Sequence, residues 1–225
     1  MPPARSTRAR PTPTPRATRA FLFSDLRDYT KFVERAGDAA AAKLLRDYRT
    51  IVRREVGRHQ GAEVKTEGDS FYVVFESPSD ALECGVAVLK RAEAHSQRHV
   101  ERPIRIGIGI HAGETVSYDD QFVGSAVNIA SRIASNAKAG EILVSETFRG
   151  LVRTGHSYEM EDRGALRLKG VSERVRAWNV LWGPAPAAVP PPKPQRRPVT
   201  LPRAAPRPSP TDRALTCPVL VGREL

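Results

Sequence analysis

Cysteine is nearly missing from this chain of 225 residues, with Cys84 and Cys217 its two thiols. So far apart, they build neither a disulfide framework nor a cysteine metal site, which fits a reduced, intracellular protein. No stretch approaches the ~20 consecutive apolar residues of a membrane-spanning helix. The basic N-terminus holds proline and threonine where a secretory signal needs an apolar core, so a cytoplasmic location without membrane attachment is expected. Proline is scarce in the middle, where Pro78 and Pro103 stand alone, yet five prolines lie in residues 1–19 and twelve in 184–225. Acidic residues are scarce at both ends. Residues 1–19 hold five Arg and no acid, and residues 184–225 hold seven Lys/Arg against two acids. The stretch 20–183, with 24 basic and 23 acidic residues, is nearly neutral, so the net +11 belongs to the ends.

Three segments follow. Residues 1–19 read as a disordered basic Pro/Arg/Thr-rich segment, 20–183 as the folded domain, and 184–225 as a Pro-rich basic linker. The end segments have too little apolar surface to offset the entropy of ordering. No aromatic residue interleaves their arginines for base stacking, so they read as solvated linkers rather than nucleic-acid contacts.

Within 20–183, Ala20–Ser24 is a short apolar run, read as a buried strand. Asp38 is expected to cap a long helix whose apolar stripe is Leu44, Leu45, Tyr48, Ile51, Val52 and Val56. Glu63–Thr66 and Ser70–Glu76 read as a hairpin around Glu67-Gly68-Asp69. Ser79 or Asp80 is expected to cap a second helix to about His95. Ile104–Ile110 alternates Ile with Arg or Gly, as a strand approached closely by other backbone does. A turn at Tyr118–Asp120, a helix over Val127–Ala134 and strands at Glu141–Ser145, Leu166–Leu168 and Val175–Leu181 complete the pattern. There is no internal repeat. Helices alternating with strands and hairpins point to an α+β sandwich, ferredoxin-like (βαββαβ) at its core.

Two carboxylates 44 positions apart, Asp25 and Asp69, each close a strand-like run. Carboxylates at two strand ends are suited to share divalent metals, and metals at a triphosphate mean phosphoryl chemistry. Four motifs occur in order: Phe23-Ser24-Asp25-Leu26, Lys65-Thr66-x-Gly68-Asp69, Gly124-x-x-Val127-Asn128-x-Ala130-x-Arg132 and Arg163-Gly164-x-x-x-Leu168-Lys169-Gly170. Together they resemble the class III nucleotidyl (adenylate/guanylate) cyclase catalytic domain of the bacterial kind, over roughly Ala20 to Trp182.

The resemblance implies an adenylate cyclase: the ribose 3′-hydroxyl of ATP attacks the α-phosphate, giving 3′,5′-cyclic AMP and pyrophosphate. Asp25, Asp69 and the main-chain carbonyl of Leu26 would hold two Mg²⁺ or Mn²⁺ per site. Asn128 would orient the ribose, and Arg132 would hold charge on the α-phosphoryl oxygens with its planar fork. Lying four apart on a helix, the two share one face. Lys65 matches the lysine that reads the adenine ring, and Lys169 the one that binds triphosphate. Arg27, Asp28, Tyr29 and Thr30 occupy the segment that approaches the phosphates. The family builds its sites between two domains, and this chain carries both halves, so a head-to-tail homodimer with two shared sites is implied.

Two positions depart from the family. Gln121 stands seven before Asn128, where an acceptor for the adenine amino group is usual, with Asp119 and Asp120 just before it. Its amide suits either an adenine amino group or a guanine carbonyl. Asp28 replaces a common glycine; its carboxylate repels phosphates unless it turns away or meets Arg27, and it suits a left-handed or capping position. These departures keep two alternatives open, a catalytically weak cyclase-like ATP-binding regulatory domain and a cyclase of relaxed or guanylate specificity. Intact Asp25, Asp69, Asn128 and Arg132 favour the enzyme. His111 reads as a strand residue. The end, Pro218-Val219-Leu220-Val221-Gly222-Arg223-Glu224-Leu225, resembles the opening of ATPase modules that follow such domains, which implies a C-terminal effector module in a longer protein.

Overall fold

The computed structural model describes residues 17–118, 121–155 and 157–183; both charged ends, Asp119 and Asp120 lie outside the described residues. β1 (Ala17–Leu26) runs up the middle of the sheet and hands over to α1 (Tyr29–Arg58). The hairpin β2 (Ala62–Glu67) and β3 (Ser70–Phe75) follows, then α2 (Pro78–Arg98) and β4 (Ile106–Tyr118). Beyond come β5 (Gln121–Val123), α3 (Ser125–Asn136), β6 (Ile142–Ser145), α4 (Glu146–Val152), β7 (Glu159–Leu166) and β8 (Val175–Leu181). The strand order is β2-β3-β1-β4-β6-β8-β7, with short β5 paired to β4. β1 lies antiparallel to both β3 and β4, so the first four strands form the expected ferredoxin-like unit, extended by β6–β8.

The alternation of β4 builds both layers. Ile106, Ile108, Ile110 and Ala112 are buried in the main core with Leu22, Tyr48, Phe71, Leu82 and Leu89 from β1, α1, β3 and α2. Each buried Ile, Leu or Phe among them contributes about 1.5–3 kcal/mol. On the opposite face Gly109 and Gly113 let α3 rest on the strand itself. A Cβ at Gly109 would lie 2.1 Å from the backbone N of Ala134, and one at Gly113 2.9 Å from the Ala126 Cβ.

Several boundaries differ from expectation. α1 begins at Tyr29 and is interrupted at Gly37 (φ 78°, ψ 167°), so Asp38 starts its second segment rather than the helix itself. Neither Ser79 nor Asp80 caps α2: Ser77 does, its side chain accepting from the Asp80 N–H at 3.2 Å, with Pro78 in the first turn. The expected turn at Tyr118–Asp120 is preceded by a strand that runs through Tyr118. α4 was not expected; Ser145 caps it by accepting from Phe148 N–H at 3.1 Å. No helix among the described residues is long and apolar enough to cross a membrane.

Candidate active site

Asp25 sits one residue before the end of β1, opposite Ser70 of β3 and Gly107 of β4. Gly68 takes a left-handed turn (φ 57°) that delivers Asp69 to the start of β3, beside Asp25. Arg49 of α1 steadies this hairpin tip by donating to the Gly68 carbonyl at 2.7 Å. Ser70 Oγ donates to Asp25 Oδ1 at 2.7 Å. Beneath them the buried Tyr48 hydroxyl and Ser24 Oγ share a hydrogen bond of 2.9 Å, and burial pushes the phenol upward, so it stays neutral.

Burial, and then the charge of Asp25, push the Asp69 carboxyl above its ordinary range. Two carboxylates held this close are a donor set suited to a divalent cation. Among the described residues no cluster of three or more His, Cys, Asp or Glu surrounds them. A hard cation would therefore need carbonyl, water or phosphate oxygens to complete its shell, which fits Mg²⁺ or Mn²⁺ shared with a nucleotide.

Beside the carboxylates a cleft of about 330 Å³ is lined by Leu26, Arg27, Asp28, Tyr29, Lys31, Phe32, Arg35, Leu44, Pro103 and Arg105. It opens on the N-terminus of α1, whose first turn contains no acid and whose unsatisfied N–H groups favour an anion. Lys31, Arg35 and Arg105 add positive charge. None of the three was picked out from sequence, because only the pairing of β1 with β4 brings Arg105 to the start of α1. Thr30 is exposed in the same first turn.

Asp28 adopts the left-handed conformation (φ 59°, ψ 22°), but its side chain makes no cap hydrogen bond. It also does not meet Arg27. Lys31 and Arg105 each pair with it at 3.1 Å, and the Lys31 hydrogen bond and charge hold its carboxyl below the ordinary range. Its charge is thus answered within the cleft. Arg27 is committed elsewhere: its N–H groups go to Asp25, Ala134 and Ala137 rather than into open space for a substrate.

α3 carries the remaining pair. Ala126, Ala130, Ile133 and Ala134 are its buried side, whereas Asn128 and Arg132 are exposed on the other. Among the described residues neither side chain has a partner. Lys65 lies opposite Tyr72 on the sheet face where Tyr72 stacks on Phe23, with ring centroids 4.6 Å apart. Its ammonium pairs with Glu67 at 2.6 Å, both groups being exposed. Gln121 belongs to β5, opposite Tyr118, and its side chain lies outside the described part. Lys169 is exposed between β7 and β8, beside the buried Leu168. The fold therefore gathers Asp25, Leu26, Asp69 and the 27–30 segment, and leaves Asn128 and Arg132 facing outward from a different layer.

Comparison with known proteins identifies the family. Residues 14–181 match the family described as the adenylate and guanylate cyclase catalytic domain, and the chain belongs to that family. It is 29% identical over 175 residues to putative adenylate cyclase 3 of Rhizobium meliloti (strain 1021), covering 77% of this chain and 29% of the relative. It is 30% identical to retinal guanylyl cyclase 2 of Bos taurus, covering 76% and 17% respectively. The chain thus spans less than a third of these curated relatives. The crystal structure of the adenylyl cyclase CyaB from P. aeruginosa superposes with TM-score 0.67 at 26% identity, covering 74% of this chain and 95% of that one. The guanylyl cyclase Cya2 gives TM-score 0.65 at 26% identity, covering 79% and 98%.

Proposed function

We propose that the protein is an adenylate cyclase that converts ATP to 3′,5′-cyclic AMP and pyrophosphate in sites shared by two copies of the chain. One observation carries this reading. Asn128 and Arg132 project from the outer side of α3, opposite the side packed on the strand beside Asp25, which supports a second copy bringing them to a carboxylate pair. When bound at Asp25, Asp69 and the Leu26 carbonyl, two Mg²⁺ or Mn²⁺ would acidify the 3′-hydroxyl and neutralise the triphosphate. Lys31, Arg35, Arg105 and the α1 N-terminus hold the β- and γ-phosphates, with Lys169 adding charge from the late strands. Asn128 orients the ribose, and Arg132 takes the charge growing on the α-phosphoryl oxygens. Lys65 donates to adenine N1, a bare acceptor, on the Phe23–Tyr72 platform.

Relaxed specificity is the second reading, favoured by the Lys65–Glu67 pair. A carboxylate beside the ammonium gives the base-reading edge an acceptor as well, which suits the protonated N1 of guanine.

Cyclic nucleotide production from ATP and from GTP, in Mn²⁺ and in Mg²⁺ at several protein concentrations, tests both. Cyclic AMP with specific activity rising with concentration, and lost in Arg132→Ala, is the expected result. Comparable cyclic GTP replaces it with the relaxed reading. ATP binding without any product moves the assignment to a regulatory nucleotide-binding domain.

A further inference from the structure

Arg27 is the residue whose bonds reach furthest. Its side chain is 20% exposed and donates in three directions: Nη1 to Asp25 Oδ2 at 2.9 Å, Nε to the Ala137 carbonyl at 2.9 Å, and Nη2 to the Ala134 carbonyl at 2.5 Å. Those carbonyls close the C-terminal end of α3, where a helix has unsatisfied acceptors and partial negative charge. α3 has no basic residue in its own last turn, so Arg27 supplies that charge from another element. Room for it is made by Gly107. A Cβ there would lie 2.5 Å from Arg27 Nε, 2.6 Å from Nη2 and 2.8 Å from the Ala137 carbonyl.

We infer that Arg27 is a positioning residue that couples the carboxylate Asp25 to the end of the helix bearing Asn128 and Arg132 in the same chain. This rests on Asp25 being a metal ligand. A divalent cation competes with Nη1 for the same carboxylate. The guanidinium is a rigid plane, so it cannot yield that bond without disturbing the other two. Filling one site is therefore felt at the helix that serves the other. Arg132 lies two residues before Ala134, well within reach of such a shift.

Amide hydrogen exchange, with Mn²⁺ alone as the probe, tests the coupling without relying on turnover. In the wild type Mn²⁺ is expected to speed exchange over residues 134–138 by about threefold or more, with α2 unmoved. In Arg27→Met that segment exchanges about tenfold faster from the start and no longer responds to Mn²⁺. Arg27→Lys keeps an ion pair to Asp25 but not the fork, so it binds Mn²⁺ as the wild type does while the response at 134–138 is lost. Gly107→Ala, which expels the guanidinium and removes no polar group, reproduces Arg27→Met. In turnover, Arg27→Met lowers kcat by about 10–100-fold with KM for ATP changed less than about threefold, as misplacement does. The inference is overturned by a wild-type segment that ignores Mn²⁺. It is equally overturned if α2 loosens as much as α3 in Arg27→Met, or if KM rises while α3 exchange stays as in the wild type. Should Gly107→Ala not fold, the Met and Lys variants decide. Should the chain make no cyclic nucleotide, the cyclase reading fails while the exchange data still decide the coupling.

Discussion

At the end of β1, Asp25 is held by Ser70 and Arg27, and Asp28 by Lys31 and Arg105; on the outer side of α3, Asn128 and Arg132 have no partner among the described residues. The first region is organised before any ligand arrives, because like charges crowded at a strand end are unstable unless answered. The second has its inner side packed against backbone and its reactive groups pointing away, which leaves it nothing to act on within its own chain. On the proposed reading, preorganisation is complete on one side of the chemistry and awaits a second copy on the other.

The largest expected effect separates the two directly. Arg132→Ala should lower kcat by about 10²–10³, the cost of losing a transition-state charge donor, and leave the melting temperature unchanged because the side chain is exposed. An equal loss of stability would show that the outer side of α3 is not idle in the free chain. On the inner side the reverse holds. Gly109→Ala places a Cβ against the Ala134 backbone and should cost about 3 kcal/mol in denaturant unfolding.

His111 sharpens the contrast through pH. It faces the same layer of β4 as Gly109 and Gly113, shares a 2.6 Å hydrogen bond between Nδ1 and Ser145 Oγ, and is pushed down to about 4 from 6.5 by burial. Between those values the unfolded chain takes up a proton that the folded one refuses. Stability is therefore intact above pH 6.5 and falls towards pH 4, by up to about 3 kcal/mol. Melting curves across that range should show the slope in the wild type and lose it in His111→Gln.

Complementation is a subtler test. An equal mixture of Asp25→Ala and Arg132→Ala chains should regain about a quarter of wild-type activity, since half the random dimers carry one intact site. Activity no higher than either parent would sink the shared site. The smallest effect concerns Asp69. Its raised carboxyl pKa means that the metal-free fold loses stability as pH rises through the range above 3.8. At neutral pH Asp69→Asn should therefore raise the melting temperature of metal-free protein by about 1–3 °C and abolish any Mn²⁺-induced shift.

Much of this could be read from residues alone. Asp25 and Asp69 each followed a strand-like run, the glycines of β4 announced a close backbone approach, and Asn128 and Arg132 lay one helical turn apart. What escaped depended on distant pairings. Nothing local tells that Arg105 returns to the start of α1, or that Arg27 reaches carbonyls more than a hundred positions away. Sequence left Asp28 either to turn away or to meet its neighbour Arg27; α3 claims that guanidinium, and Asp28 pairs with Lys31 and Arg105 instead. The cap of α2 lies two or three residues before the expected Ser79 or Asp80, although Ser77-Pro78 is itself a helix-start signal. The first helix was expected only from Asp38, so residues 29–36 were missed; Gly37, with its left-handed φ, interrupts the helix where that expected start falls.

The contact between α3 and β4 has a mechanical consequence. Most helices lie on a sheet through a cushion of side chains whose rotamers absorb small displacements. Here, at Gly109, backbone meets backbone, so strand and helix behave as one lever with almost no slack. A push at the Arg105 end of β4, where the cleft opens, is delivered along the strand to the helix undiminished. The residues facing outward then swing with it as a single hand on a single arm.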